Sequence, residues 1–311
     1  MNPLTLRADT LDSRALTDAE DAITRSVLFA ALFDYPLTLS QLRQTLIGSR
    51  QTASEILAVV RDSEALHDLV EYRDGFFFPT GCAHLVDTRR HREARSLAFL
   101  SEHRMLLTLI SACPFVRFVA LSGSIAHLNL ESGGDLDLFI VTRGPRVWST
   151  AVFIVLLAKL MRRRRTLCAN FIVADTDLSF AEDDLFTASQ IVGLKPVTRT
   201  DFLHDIVAAN PFVRLCYPNF HPTGRAPFAR PSSRVTMRVK RLVETVLAVP
   251  SLVCEAVCRW SYRAYLRRRS AGWTSPEQVV LGDRILKLHT RSHRRETLNR
   301  FASAVRQALD E

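Results

Sequence analysis

The sequence predicts an α+β protein: a mixed sheet with flanking helices at its centre, a small helix-and-hairpin unit before it, and a mainly helical region after it. Three observations carry this expectation. Apolar runs of strand length recur at 116–122, 135–142 and 167–174, and an apolar run of helix length, Val147–Met161, separates the last two. Thr17, Thr38 and Thr52 each open a short helical pattern, and two aromatic or aliphatic runs joined through Gly75 follow them. Helical spacing then returns over a long stretch, from about Val235 to Arg269. A chain of 311 residues, 47% apolar, has room for two domains and an appendage, divided here as 1–85, 86–205 and 206–311.

Taken in order, residues 1–15 read as a frayed terminus. Thr17 with Glu20 three residues on forms a capping-box pattern, and Ile23, Val27, Leu28 and Leu32 continue the helix to Asp34-Tyr35-Pro36. Thr38 or Ser40 caps a second helix through Leu42 and Leu46, and Thr52-Ala-Ser-Glu55 opens a third with Ile56, Val59 and Val60. Leu69–Tyr72 and Phe76–Phe78, joined by Arg73-Asp74-Gly75, read as a hairpin. Three helices and a hairpin make a winged helix-turn-helix pattern. Its third helix carries Glu55, Asp62 and Glu64 against Arg61, and its hairpin has no basic stripe. That charge argues against duplex DNA as a partner and for a packing or substrate-presenting role.

His84–Ile110 reads as a helix with Arg89, Arg90, Arg92 and Arg95 on polar positions, leading into the sheet. The helix Val147–Met161 crosses between the second and third strands, with Arg162–Arg165 complementing the dipole at its end. Another helix begins at Asp184 and ends near Gly193. Asn210-Pro211-Phe212 and Tyr217-Pro218-Asn219 mark a turn-rich link, and 222–234, rich in Pro, Ser and Arg, a boundary loop. In the long helical stretch Pro250 kinks or splits the helix, and Glu244, Glu255 and Arg259 make it amphipathic rather than transmembrane. A final helix covers Glu296–Leu309.

Charge is uneven. Residues 225–306 hold 18 Lys or Arg against 5 Asp or Glu, whereas the rest of the chain holds 23 against 27. The basic quarter suits an anionic acceptor, RNA or another polyanion, or else forms solvated helix faces. The six cysteines include no Cys-x-x-Cys pair and most sit in apolar runs, which points to free buried thiols in a reducing cytoplasm. Cys254 and Cys258, at helical spacing, read as core residues. No signal peptide is visible, and the apolar part of Val147–Met161 falls short of the roughly 18–20 residues that span a bilayer.

The chemistry-bearing stretch is 121–142. Phe118–Leu121 ends in Ser122-Gly123-Ser124, and after a short spacer Gly133-Gly134 leads into Asp135-Leu136-Asp137 and the apolar run Leu138–Val141. Alternate residues of a strand project together, so Asp135 and Asp137 share a face with their Cα atoms roughly 6–7 Å apart. Magnesium takes one or two carboxylates together with substrate phosphates, and two carboxylates suit metal-assisted phosphoryl chemistry. Gly123 permits a turn that a side chain would obstruct, and Ser124 offers a hydroxyl and an N–H to a phosphate oxygen at a helix start. Alone, Asp-x-Asp after Gly-Gly is also an ordinary turn. His127, three residues beyond Ser124, reads as a helix-surface or core histidine.

The combination of apolar-Gly-Ser with Asp-apolar-Asp-apolar resembles the core motif of the DNA polymerase β-type nucleotidyltransferase superfamily. It is closer still to uncharacterised bacterial nucleotidyltransferase-domain proteins of this size with an N-terminal winged-helix region. The resemblance implies the nucleotidyltransferase fold, with Gly123 and Ser124 binding the phosphates of a nucleoside triphosphate and Asp135 and Asp137 holding Mg2+ or Mn2+. It implies transfer of a nucleoside monophosphate to an acceptor, with pyrophosphate leaving. The superfamily usually has a third carboxylate on a later strand, where Leu167–Val173 here offers Asn170, an amide that can coordinate a metal but is a poor base. Asp175 and Asp177 follow that strand, either reaching in or forming a solvated turn. Lys195, just past a helix end, either meets a triphosphate or is an ordinary exposed lysine. Two other functions stay open: a catalytically impaired nucleotide-binding or regulatory protein on the same fold, and a winged-helix DNA-binding regulator.

Overall fold

The structure, a computed structural model, describes residues 16–198, 201–222, 234–290 and 292–310. The readings of 1–15 as frayed and of most of 222–234 as a loop concern residues outside these.

The N-terminal helices start where capping chemistry is local. Helices α1 (Asp18–Ala31), α2 (Leu39–Gln44) and α3 (Ala53–Asp62) each begin with a complete capping box, formed by Thr17 with Glu20, Thr38 with Gln41 and Thr52 with Glu55. A single-turn helix α4 (Glu64–His67) leads into strands β2 (Val70–Arg73) and β3 (Phe76–Pro79), and the short β1 (Leu37–Thr38) pairs with β3 to give the antiparallel order β1-β3-β2. Asp74 and Gly75 both have positive φ, 54° and 83°, which is what a two-residue hairpin turn of type I′ requires. Ile23, Val27, Leu42, Ile56, Leu66 and Phe77 fill the core of this unit.

The helix α5 (His84–Ala112) ties that unit to the rest. Arg89, read as a polar-face residue, is in fact buried; its guanidinium lies 4.1 Å over the Tyr35 ring and donates to the Pro36 carbonyl. Arg92 bridges Asp34 and Glu131 at 3.0 Å each.

The central sheet has six strands in the order β7-β4-β5-β6-β9-β8. Strand β4 (Val116–Leu121) runs antiparallel to β5 (Leu136–Thr142), and β5 runs parallel to β6 (Leu167–Ala174) across the helix α7 (Val147–Leu160). Strand alternation splits the core in two. Val119, Leu121, Leu136, Leu138 and Ile140 face α5 and α7. Phe118, Phe139, Val141 and Val173 face α8 (Leu185–Gly193), α9 (Asp201–Ala209), α10 (Phe212–Cys216) and α13 (Arg294–Asp310).

Besides the two-residue β1, three strands of the central sheet lie outside the sequence reading. The two-residue β7 (Lys195–Pro196) edges β4, and β8 (Val279–Leu281) with β9 (Ile285–Leu288) forms a hairpin docked antiparallel on β6. Residues 206–311, expected to be mainly helical, thus contribute two strands to the sheet of the middle region. Runs of three or four residues carry too little periodicity to announce themselves.

The long helical stretch divides at Pro250 into α11 (Arg234–Val246) and α12 (Pro250–Arg268), with proline at the first helical position as its missing N–H favours. Its amphipathicity is the reverse of a solvated helix. Glu244 and Glu255 point inward and are buried, while Leu242, Val246, Val253 and Trp260 are exposed. Cys254, read as core, is exposed as well. In α7, Trp148, Ala151, Ile154 and Ala158 are buried and Phe153, Leu156 and Leu160 are exposed, so only one face packs on the sheet. Among the described residues no helix is long and apolar enough to cross a membrane.

Candidate functional site

The site forms where β4 ends beside the start of β5. Ser122 N donates to the Asp137 carbonyl at 3.0 Å, which keeps the chain paired one residue beyond the strand. Gly123 then turns with φ +62°, and a Cβ there would lie 2.6 Å from Asp137 Oδ2. Glycine is therefore required twice over, by the backbone angle and by the carboxylate under it. Gly123 begins α6 (Gly123–Ala126), a single turn closed by His127 N and Asn129 N donating to the Ser124 carbonyl. Ile125 and Ala126 anchor that turn in the core, while Ser124 is exposed. So short a helix has little macrodipole, and its capacity for an anion rests on local donors.

Asp135 and Asp137 are both part-buried, with Leu136 and Leu138 fully buried on the opposite face of the sheet. The parallel register sets Cys168 beside Asp137. One donor atom from each of Asp135, Asp137 and Cys168 lies within 4.8 Å of the other two, a group that could hold a metal ion. A bulge in β6 lets Asn170 Nδ2 reach Asp137 Oδ1, to which it donates at 2.7 Å. Among the described residues neither aspartate pairs with a lysine or arginine.

The electrostatics follow from that placement. Burial first, and the Asp135 charge second, push the Asp137 carboxyl up to about 7. Burial, a hydrogen bond to Asp135 and the charges of both aspartates push the Cys168 thiol up to about 12, so it stays protonated. Two adjacent carboxylates without a compensating cation repel each other, and a divalent ion would relieve that repulsion. The two oxygens suit magnesium or manganese; a sulfur as third donor is the softer element of the set.

The remaining predicted residues fall elsewhere. Lys195 lies at the same end of the sheet, two strands over, but its pairing with Leu121 places it on the face opposite the aspartates. It is part-buried, and burial lowers its basicity. Asp175 is at the far end of β6, beside Thr142; at strand rise this is roughly 17 Å from Asp137. It accepts from Gly144 N at 2.9 Å and pairs with Arg117 at 2.7 Å, a structural role. Asp177 lies 3.6 Å from Arg284. His127 packs against Gly193, where a Cβ would come within 2.6 Å of its Nε2, and meets the Tyr35 ring edge-on at 5.4 Å. Burial, then Lys195 and Arg89, lower it to about 4, so it is neutral at ordinary pH.

The sequence reading missed Cys168 as a member of the site. Its only signal was its place in the strand that carries Asn170, and the register that brings it to Asp137 is a tertiary fact. A larger concavity, between α3 and β2, is lined by Leu57, Arg61, His67 and Tyr72 and lies apart from this chemistry. A smaller one, lined by Cys168, Asn170, Ile154, Arg164 and Tyr262, opens beside it. Comparison of the chain with protein-family models, with curated proteins and with solved structures finds no match.

Proposed function

We propose that the protein is a metal-dependent nucleotidyltransferase that moves a nucleoside monophosphate from a nucleoside triphosphate to an acceptor. The observation that carries this reading is the pair Asp135 and Asp137 beneath the Gly123 turn, close together and without a cationic partner among the described residues. Mg2+ or Mn2+, when bound by these two carboxylates, would neutralise triphosphate charge and favour in-line displacement. The chain's own residues do the rest. Gly123 leaves room for the phosphates to approach the backbone, and the exposed Ser124 hydroxyl donates to a phosphate oxygen. Asn170 fixes one oxygen of Asp137 and thereby orients the carboxylate. The protonated thiol of Cys168 lies beside both carboxylates, its sulfur within 4.8 Å of an oxygen of each. On this reading the N-terminal unit is a winged helix that packs against the catalytic sheet.

A second reading has a specific basis. An amide takes no proton, and Asn170 stands where β6 would otherwise offer an acid. Nucleotide binding without turnover is the consequence if nothing else deprotonates the acceptor. Pyrophosphate release from the four nucleoside triphosphates, with magnesium or manganese and a panel of acceptors, separates the two. Turnover in the wild type that falls at least about a hundredfold in Asp137→Ala supports the enzyme. Calorimetric binding with no turnover supports the second reading, and equal activity of wild type and variant overturns the first.

A further inference from the structure

Helices α11 and α12 attach to the protein through charged groups and present apolar ones to solvent. On the inner side Lys240 Nζ donates to the Ser111 and Val116 carbonyls at 3.0 and 2.6 Å. Glu244 accepts from Phe115 N at 2.8 Å and pairs with Arg143 at 3.1 Å. Glu255 accepts from Trp148 N and Ser149 N at the start of α7, and Arg259 pairs with Asp283 at 2.8 Å. On the outer side Leu242, Val246, Val249, Val253 and Trp260 are 67, 68, 73, 66 and 78% exposed. Leu242 and Val246, four apart, share a face of α11, and Val253 and Trp260, seven apart, share a face of α12, with Val249 at the break between the two helices. Alongside α12, α7 adds Phe153, Leu156 and Leu160. An amphipathic helix in water hides such a stripe, and a continuous exposed one marks a contact surface.

The charges around the stripe select the contact. Between residues 234 and 269 the only acids are Glu244 and Glu255, and both turn inward. Arg238, Arg241, Arg267 and Arg268 are exposed, so the outer side carries positive charge alone. A second copy of the chain meeting this face would set arginines against arginines. An anionic lipid surface accommodates every part: the apolar stripe enters the acyl boundary, the arginines stay at the phosphates, and Trp260 sits between.

We propose that α11 and α12 dock the protein in the plane of an anionic membrane, without spanning it. This surface is separate from the aspartate site and does not depend on what that site does. The test uses the full chain and floated vesicles of phosphatidylcholine, alone or mixed with phosphatidylglycerol. The expected result is binding at least about tenfold tighter to the anionic vesicles, weakened by salt. Trp260 emission shifts to the blue on binding, and that change is missing in Trp260→Phe. The double variant Val246→Asp with Val253→Asp alters only exposed positions; it keeps the circular dichroism and melting temperature of the wild type and loses vesicle binding. Arg238→Gln with Arg241→Gln keeps the stripe and loses the preference for anionic lipid. Folded wild-type protein that ignores anionic vesicles at low salt overturns the proposal. So does light scattering that finds a dimer which the two aspartate substitutions split, with no vesicle binding in either form.

Discussion

Replacing Gly123 with alanine puts a methyl group 2.6 Å from Asp137 Oδ2, at a backbone angle of +62° that a side chain disfavours. Both effects act in the folded state, so Gly123→Ala should cost about 1–3 kcal/mol in a urea titration. It should also displace the carboxylate: with Mn2+ held by Asp135 and Asp137 as proposed, the melting temperature of the wild type should rise on adding the ion and that of the variant should not. A variant as stable and as cation-responsive as the wild type would show that Asp137 has freedom that its packing denies. At this scale the sequence was informative where the candidate site rests on local geometry: the Gly123 turn carries Ser124, and strand alternation sets Asp135 beside Asp137. It was uninformative for Cys168 and Asp175, because the two lie on the same stretch of chain and only the register on β5 puts the first at the carboxylates and the second at the far end.

Helix α7 shows what lies outside local reach. Its own N-cap, Arg146, makes no capping bond, and its first amides are satisfied instead by Glu255 of α12, at 2.9 Å to Trp148 N and 2.8 Å to Ser149 N. A carboxylate there also faces the positive end of the helix dipole. Glu255→Ala should destabilise the protein by roughly 2–3 kcal/mol, because buried donors lose a charged acceptor. Glu255→Gln should recover part of that; equal melting of all three in differential scanning calorimetry would remove Glu255 as a structural anchor. The capping boxes of α1, α2 and α3 were readable because each partner is three residues away. The Glu255 cap is more than a hundred residues away. An amphipathic pattern fixes that two faces differ, and the docking partner decides which one is buried. The hairpin of β8 and β9 was missed for a related reason, since its pairing on β6 supplies the stability that two short runs lack.

Over the whole molecule the parts are knitted by contacts that cross the predicted divisions. Phe29 of α1 meets Phe301 of α13 edge-on at 5.2 Å, Gly48 N donates to the Cys216 carbonyl at 2.8 Å, and Asn219 Nδ2 donates to the Gln51 carbonyl at 2.8 Å. Two histidines add a pH dependence to this assembly. Burial leads the causes for both, and like-charged neighbours add to it: His127 and His289 are each lowered to about 4 from an ordinary 6.5. Between those values the unfolded chain binds more protons than the folded one, so stability falls as pH drops through that window and the loss is complete below it. Asp137, raised to about 7, opposes this by gaining a proton in the folded state over the same window, so the expected net loss is on the order of 1–3 kcal/mol between pH 7 and pH 4, measured by urea titration at each pH. His127→Asn should flatten the slope; an unchanged slope in that variant would acquit the residue.

The sheet order has a consequence for a chain that is still being made. Everything at the aspartate site, from Ser122 to Asn170, lies on contiguous sequence joined by the α7 crossover, so β4, β5 and β6 can assemble while the last third is unsynthesised. Until Ile285–Leu288 arrives, the outer side of β6 is an open hydrogen-bonding edge with Phe171, Ile172 and Val173 on it. A chain interrupted before β9 would carry a finished pair of carboxylates and an unfinished, adhesive strand beside them.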